Sequence, residues 1–225
     1  MMRRQLEGLV LATADSVMIV AVQQEVVRLG IPAVARVLVP LTHILQVTLF
    51  SYLFSGSSVY ALSGRKVHKI YQIRDLFPGG PSSVQAAVFN PVSGMMLLFS
   101  NRQVYGYYFS RLRAKYQMDS GFPKTLPSDI SFSPSGAIRD TGNDTMHISV
   151  FQNSDEFFVY DEFWNQSTMN NRISSYLANF PEGVKGIESP SGSIVTAFTS
   201  NVVFQYNART KRVESETALS SYLQC

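Results

Sequence analysis

Leu97-Leu98-Phe99-Ser100-Asn101-Arg102-Gln103-Val104-Tyr105-Gly106-Tyr107 reads as strand, two-residue turn, strand. Aliphatic and aromatic side chains fill both arms. Asn101-Arg102 lies between them, and Asn tolerates the positive φ that tight hairpin turns require. The same phrase recurs on either side. Upstream stands YLFSGSSVYAL, with Phe54 and Tyr60; downstream stand SVFQNSDEFFVY, with Phe151 and Phe157, and TAFTSNVVFQY, with Phe198 and Phe204. Each leading Phe is followed six residues later by an aromatic, and Val59, Val104 and Val203 precede that aromatic in three of the four, Glu156 being the exception. The leading Phe residues fall 45, 52 and 47 positions apart. A repeat of roughly 40–50 residues built from short strands marks the blades of a propeller, in which each unit buries its apolar face against the next.

The surrounding turns agree. Asn90-Pro91-Val92-Ser93-Gly94, Ser133-Pro134-Ser135-Gly136 and Ser189-Pro190-Ser191-Gly192 precede the last three hairpins, and a proline with a glycine two or three places on is strong turn chemistry between β segments. Ile73–Phe77 and Ile173–Phe180 each suit a helical turn leading into a Phe-Pro. The expected fold is all-β: four units of four strands around an axis, with blades at about 42–76, 77–121, 122–179 and 180–225.

At this point the residues resemble a known family, the hemopexin-like domain, and within it the C-terminal propeller of matrix metalloproteinases. Phe77-Pro78-Gly79-Gly80-Pro81 and Gly121-Phe122-Pro123-Lys124 resemble its F-P-G-I-P and G-Y-P-K inter-blade phrases. Val84-Gln85-Ala86-Ala87-Val88-Phe89 is similar to its blade-opening V-D-A-A-F, and Tyr60-Ala61-Leu62-Ser63-Gly64 to W-A-L-S-G. Arg212-Val213 followed by Ser220-Ser221-Tyr222-Leu223-Gln224-Cys225 resembles R-V and then S-x-W-L-x-C. The matches run in order from about residue 42 to the end.

The departures bear on function. The family carries Trp at the second aromatic of each unit; here stand Tyr60, Tyr105, Phe157 and Phe204, and the single Trp is Trp164. The resemblance implies a blade-opening Asp lining a central channel that can hold calcium. Those positions align with Gln85 and Lys185, and only Asp129, in the third unit, keeps the acid. Hard cations take oxygen ligands and disfavour a neighbouring ammonium, so Asp129 is a weak calcium candidate whose other reading is a turn or cap residue. Cys225 is the single cysteine, so no disulfide can form within the chain. The resemblance implies that a terminal Cys pairs with one opening the first blade, near residues 40–45, where no Cys stands.

Composition fits a globular domain: 225 residues, 45% hydrophobic and 12% aromatic, with a mild net charge of +3. Arg111, Arg113 and Lys115 alternate along one stretch and so share one face of a strand, a solvated edge or a surface for acidic glycans. Nothing points to nucleic acid. Val37–Phe54 is uncharged and apolar, which raises a membrane span, but Pro40, His43, Gln46, Thr48 and the repeat phrase at its end favour buried strand. Residues 1–41 are read as a leader outside the propeller. Ser16–Leu29 could form an amphipathic helix ended by Gly30 and Pro32, and the alternative is sequence never selected to fold.

Catalytic signatures are missing. H-E-x-x-H does not occur, His43, His68 and His147 have no ligand spacing, and no G-x-S-x-G is present. Zinc would follow only from a catalytic domain upstream. Asp155, Glu156, Asp161 and Glu162 read as a solvated acidic edge, since alternation puts Asp155 and Glu156 on opposite faces. The sequons Asn143-Asp144-Thr145 and Asn165-Gln166-Ser167 mark Asn143 and Asn165 as glycosylation candidates and agree with secretion. What the resemblance implies is an extracellular, non-catalytic exosite module that recognises matrix protein such as collagen, or a tissue inhibitor of metalloproteinases. The alternative is a haem carrier resembling plasma hemopexin, using His68 or His147 as a ligand.

Overall fold

Four antiparallel sheets account for nearly all of the regular structure in the computed structural model, which describes residues 17–25, 48–90, 92–110, 113, 115–139, 148–151 and 155–223. The first sheet contains β1 (Val17–Glu25), β2 (Thr48–Ser55), β3 (Ser58–Ser63) and β4 (Lys66–Gln72) in that order. The second holds β5 (Ala86–Asn90), β6 (Met95–Ser100), β7 (Gln103–Ser110) and β8 (Lys115–Met118), with β9 (Lys124–Thr125) pairing onto β7. The third holds β10 (Gly136–Arg139), β11 (Ile148–Phe151), β12 (Glu156–Asp161) and β13 (Gln166–Arg172). The fourth holds β14 (Gly186–Ser191), β15 (Ile194–Phe198), β16 (Val202–Asn207) and β17 (Arg212–Ala218). The innermost strands β1, β5, β10 and β14 neighbour one another in a ring, with β1 beside both β5 and β14. This is the four-bladed propeller that the repeat predicts.

One boundary differs from the sequence expectation. Val17–Glu25 is neither a helix nor outside the propeller; it is the inner strand of the first blade, paired along β2 from Val17↔Ser55 to Glu25↔Thr48. Its run of Val, Met and Ile has the β-branched, apolar character that strands favour. Blade 1 therefore opens at β1 and not near residue 42. The membrane question over Val37–Phe54 is answered in part: Thr48–Ser55 is β2, and the rest lies outside the described residues.

The repeat also slips by one residue in the third blade. Cross-strand partners are Phe54↔Val59, Phe99↔Val104 and Phe198↔Val203, but Phe151↔Phe157. The third hairpin is one residue longer, so Phe157 takes the place of the buried Val59, Val104 and Val203. Phe158 is the true counterpart of Tyr60, Tyr105 and Phe204. A second repeat, hidden from the sequence reading, is a fully buried tyrosine three residues after that Val position: Tyr107, Tyr160 and Tyr206, with Leu62 in blade 1. Their hydroxyls are satisfied locally. Tyr160 donates to Asn165 Oδ1 (2.7 Å) and Tyr206 to the Ala178 carbonyl (2.8 Å).

Inner and outer strands differ as their positions demand. β6 (MMLLFS) is buried on both faces and reads as a continuous apolar run, whereas β4, β13 and β17 are mostly exposed. The pairing of β3, β12 and β16 with their outer neighbours shifts at the same place, just before Leu62, Tyr160 and Tyr206. Such bulges add a residue to the outer strand and increase its local twist. The expected helical turns are present as α1 (Ile73–Leu76) and α2 (Ile173–Tyr176), with a third, α3 (Leu219–Tyr222), closing blade 4. Phe77, which follows α1, is wholly buried among Tyr52, Phe54, Tyr107 and Tyr116, with ring centroids 4.5–6.5 Å away, and it joins blades 1 and 2. Gly106 is there because a Cβ would lie 2.7 Å from both Met95 and Phe122.

Blades 4 and 1 meet through an apolar cluster of Leu53, Leu62, Phe198, Val203, Leu219 and Leu223. The Arg65 guanidinium lies over the Tyr222 ring at 4.4 Å, and Ser51 and Tyr222 hydroxyls reach Glu188 at 3.5 Å. Cys225 and residues 40–45 are outside the described residues.

Candidate functional site

The β12–β13 connection, Asp161-Glu162-Phe163-Trp164-Asn165, is the most tightly built surface feature of the molecule. Asp161 Oδ1 accepts the backbone N–H groups of Phe163 (2.9 Å) and Trp164 (3.0 Å), an Asx turn that fixes the first bend. Asn165 completes it in the left-handed region at φ 54°, its Oδ1 held by the Tyr160 hydroxyl and its Nδ2 donating to the Thr125 carbonyl at 3.1 Å. From the blade 2–3 linker, Lys124 Nζ donates to the carbonyls of Glu162 (2.7 Å) and Phe163 (3.3 Å) while packing over the Phe122 ring. The bend is thus held by its own side chains and by the neighbouring linker.

Glu162 turns inward. Its side chain is 6% exposed, with Oε1 accepting from Asn90 Nδ2 at 2.6 Å and from Ser93 Oγ at 3.4 Å. Oε2 is buried with no hydrogen-bond partner among the described residues. Burial raises the Glu162 carboxyl above the ordinary range against the pull of these hydrogen bonds. The solvated acidic edge predicted from sequence therefore does not hold for Glu162. It does hold for Asp155 and Glu156, which are exposed. Asp155 also accepts from the Ser174 N–H (2.8 Å) and Oγ (2.7 Å), capping α2, and these bonds lower its carboxyl.

With its polar groups anchored, the turn presents its aromatics outward. Phe163 and Trp164 are 74% and 70% exposed and stand edge to face, 4.9 Å between centroids. The Asn90–Ser93 turn that holds Glu162 brings Val92, also exposed, to the same blade 2–3 end. Tyr108 is part of this end too: burial first, then the charges of Asp119 and Glu162, raise its hydroxyl. Solitary exposed apolar residues are ordinary, but a rigid group of aromatics at a seam is the pattern of an interaction surface.

The residues singled out from sequence fall elsewhere. Asp129 is exposed on the loop before β10, next to a turn closed by Ile130 N–H on the Pro127 carbonyl. It does not open the third blade. Ala86, Gly136 and Gly186 share the register opposite Phe99, Phe151 and Phe198, so the position matching Gln85 and Lys185 is Ser135, and in blade 1 it falls on Val17. The added residue in the third hairpin and a long loop before β10 hid that equivalence from the alignment. These opening positions do not fit calcium: the Gln85 amide oxygen accepts from the Asn101 N–H, Ser135 offers a hydroxyl, and Lys185 brings an ammonium. Asn165 is the anchored turn residue described above, while Asn143 lies outside the described residues, as do His43 and His147. His68 is on the exposed outer strand β4. Among the described residues no three His, Cys, Asp or Glu side chains converge as a metal site, and no helix is long and apolar enough to cross a membrane. Sequence reading passed over Phe163-Trp164, although a lone Trp beside a Phe between two strands, where the repeat needs no aromatic, was a usable signal.

Comparison with known proteins agrees with this architecture. The chain is 60% identical over 160 residues to a Caenorhabditis elegans protein named Matrix metalloproteinase-C, an overlap covering 71% of this chain and 27% of that protein. It thus spans well under a third of that relative's length. No family model matches the chain. Among solved structures, the hemopexin fold protein CP4 from cow pea superposes with a TM-score of 0.63 at 12% identity, covering 77% of this chain and 90% of that one. LS24, a seed albumin from Lathyrus sativus, gives 0.63 at 14% identity, with 77% and 88% covered. At such identities these structures speak to the fold alone. The chain is a hemopexin-like β-propeller resembling the C-terminal domain of matrix metalloproteinases.

Proposed function

We propose that this propeller is an extracellular, non-catalytic protein-recognition module, and that the blade 2–3 end carrying Phe163 and Trp164 is its docking surface. The observation that carries the reading is the exposed aromatic pair on a turn whose backbone is held by Asp161, Lys124 and Asn165. Such a surface loses little conformational entropy on binding, and buried Trp and aromatic anchors dominate interface energies. The relationship to Matrix metalloproteinase-C supports the extracellular setting and a role in recognising a protein partner. Collagen and a tissue inhibitor of metalloproteinases are the partners to test.

The experiment is surface-immobilised binding of the chain to fibrillar collagen and to a tissue inhibitor, with Phe163→Ala and Trp164→Ala alongside. A hot-spot aromatic contributes about 2 kcal/mol or more, so each variant should bind roughly 30-fold more weakly. Both side chains are mostly exposed, so thermal stability should stay within about 0.5 kcal/mol of the parent. Unchanged binding in both variants would exclude this end as the docking surface.

A further inference from the structure

We propose that the outer strand of blade 3, β13, accepts an extended peptide of the partner by strand addition, and that a lysine or arginine of that peptide enters a carboxylate-lined cleft at the strand's far end. This rests on the reading of the Phe163–Trp164 turn as a docking surface and specifies what lies against it.

The first observation is the character of the edge. Outer strands protect themselves against pairing with charge. β4 carries Lys66, His68 and Lys69, β8 carries Lys115, and β17 carries Arg212, Glu214 and Glu216. β13, Gln-Ser-Thr-Met-Asn-Asn-Arg, has no charge until Arg172, its last residue. Its Arg172 N–H is taken by the Asn171 side chain at 2.8 Å, so that amide is not used in pairing with β12. A seven-residue strand offers an incoming chain roughly 23 Å of edge at about 3.3 Å per residue.

The second observation is what stands at the two ends. β13 begins at Gln166, directly after the Phe163–Trp164 turn. At its other end lies a cleft of about 340 Å³, lined by Asp129, Phe132, Glu156, Phe158, Asn170 and Arg172. Two carboxylate residues and one arginine line it together with Phe132 and Phe158, whose rings pack 5.3 Å apart. The loop bearing Asp129 is held in place from blade 2: the Arg102 guanidinium donates to the Ile130, Leu126 (2.9 Å) and Pro127 (2.8 Å) carbonyls. A net-acidic, aromatic-floored cleft suits a cationic side chain, whose methylenes cover the rings while the charged head meets Asp129 and Glu156. Backbone pairing along the edge supplies affinity, and the pocket supplies specificity. A peptide on β13 would then span from the aromatic turn to the cleft.

The test uses the whole chain and a fluorescein-labelled nonapeptide of alternating Val and Thr with one Lys near an end, followed by anisotropy. Two companions carry norleucine for the Lys, or N-methyl groups on alternate backbone amides. Norleucine should weaken binding about fivefold, the scale of a partly exposed ion pair. N-methylation should weaken it more than tenfold, because it removes the ladder donors. Asp129→Asn with Glu156→Gln should erase the preference for Lys over norleucine while leaving the response to N-methylation. Equal binding of the N-methylated peptide, a Lys preference that survives the double substitution, or no binding of the Lys peptide at millimolar concentration would each overturn the proposal. Trp164→Ala separates the two readings: loss of whole-partner binding with the Lys preference intact supports both, whereas whole-partner binding that survives Trp164→Ala but is competed by the Lys peptide sinks only the aromatic turn.

Discussion

Phe77→Ala probes whether the propeller is held together by rings packed between its blades. Phe77 is fully buried, and Tyr116 stacks on it at 4.5 Å while Tyr107 meets it edge on at 5.2 Å. Tyr52 and Phe54 approach from blade 1 at 6.5 and 6.0 Å, so the ring bridges two sheets. Truncation removes the transfer energy of the ring and leaves a cavity that two rigid sheets cannot close. Phe→Ala in such a site costs about 3–5 kcal/mol. For a chain of this size each kcal/mol lowers Tm by roughly 2–4 °C, so the melting point should fall by about 6–20 °C. Phe77→Leu keeps much of the volume and should cost less than about 1.5 kcal/mol. Calorimetry and urea unfolding with an unchanged m-value measure both. A Phe77→Ala loss below about 1 kcal/mol would refute the account, because it would mean that blades 1 and 2 are joined by something other than this ring cluster.

Two further outcomes follow from buried polar groups. Glu162 has its carboxyl raised by burial, so the folded state holds the proton more tightly than the unfolded chain. Its contribution is therefore full below the unfolded carboxyl range and is lost as pH rises through the raised value. Urea unfolding should show stability falling with pH across that window, and Glu162→Gln, which keeps an acceptor for Asn90, should flatten the fall; an unchanged slope would locate the charge elsewhere. Tyr206→Phe removes the 2.8 Å bond to the Ala178 carbonyl and should cost about 0.5–1.5 kcal/mol by chemical denaturation, with Tyr105→Phe, whose side chain is only half-buried, as the smaller comparison.

How much of this was legible in the sequence depended on which force set each feature. Phe54, Phe99 and Phe198 announced the blades because each hairpin keeps a large buried ring at the same register, and burial leaves little choice of residue there. The helical turns before Phe77 and Phe180 were legible for the same local reason. Val17–Glu25 was not, because a short apolar run cannot be told from a helical segment by its period and its pairing partner β2 starts more than twenty residues later. Asp129 was aligned with the blade-opening Asp that the resemblance implies, and the longer loops of blade 3 move that position to Ser135. Glu162 looked like one acid among four. Only the meeting of Asn90, Ser93 and the linker Lys124 around it, from 72, 69 and 38 residues away, makes it a buried group. No local pattern encodes a contact of that range.

The sites that defied the sequence rules are concentrated in blade 3. Its hairpin is one residue longer than the others, its outer strand carries a single charge, Arg172, at its last residue, and its β12–β13 turn exposes the single Trp where a polar residue would serve the fold. It also buries a carboxylate with one oxygen unpartnered. Each of these departures costs stability or solubility, and a blade needed only to close the ring would have no reason to keep four of them. Where local choice conflicts with the fold at several linked positions, function is the expected cause. Blades 1 and 2 supply a contrasting case: Phe77 and its neighbouring rings pack within the core. A division of labour follows, in which the first two blades and the seam from Arg65 to Tyr222 hold the ring together. Under the proposed reading, the third blade is the one that meets a partner.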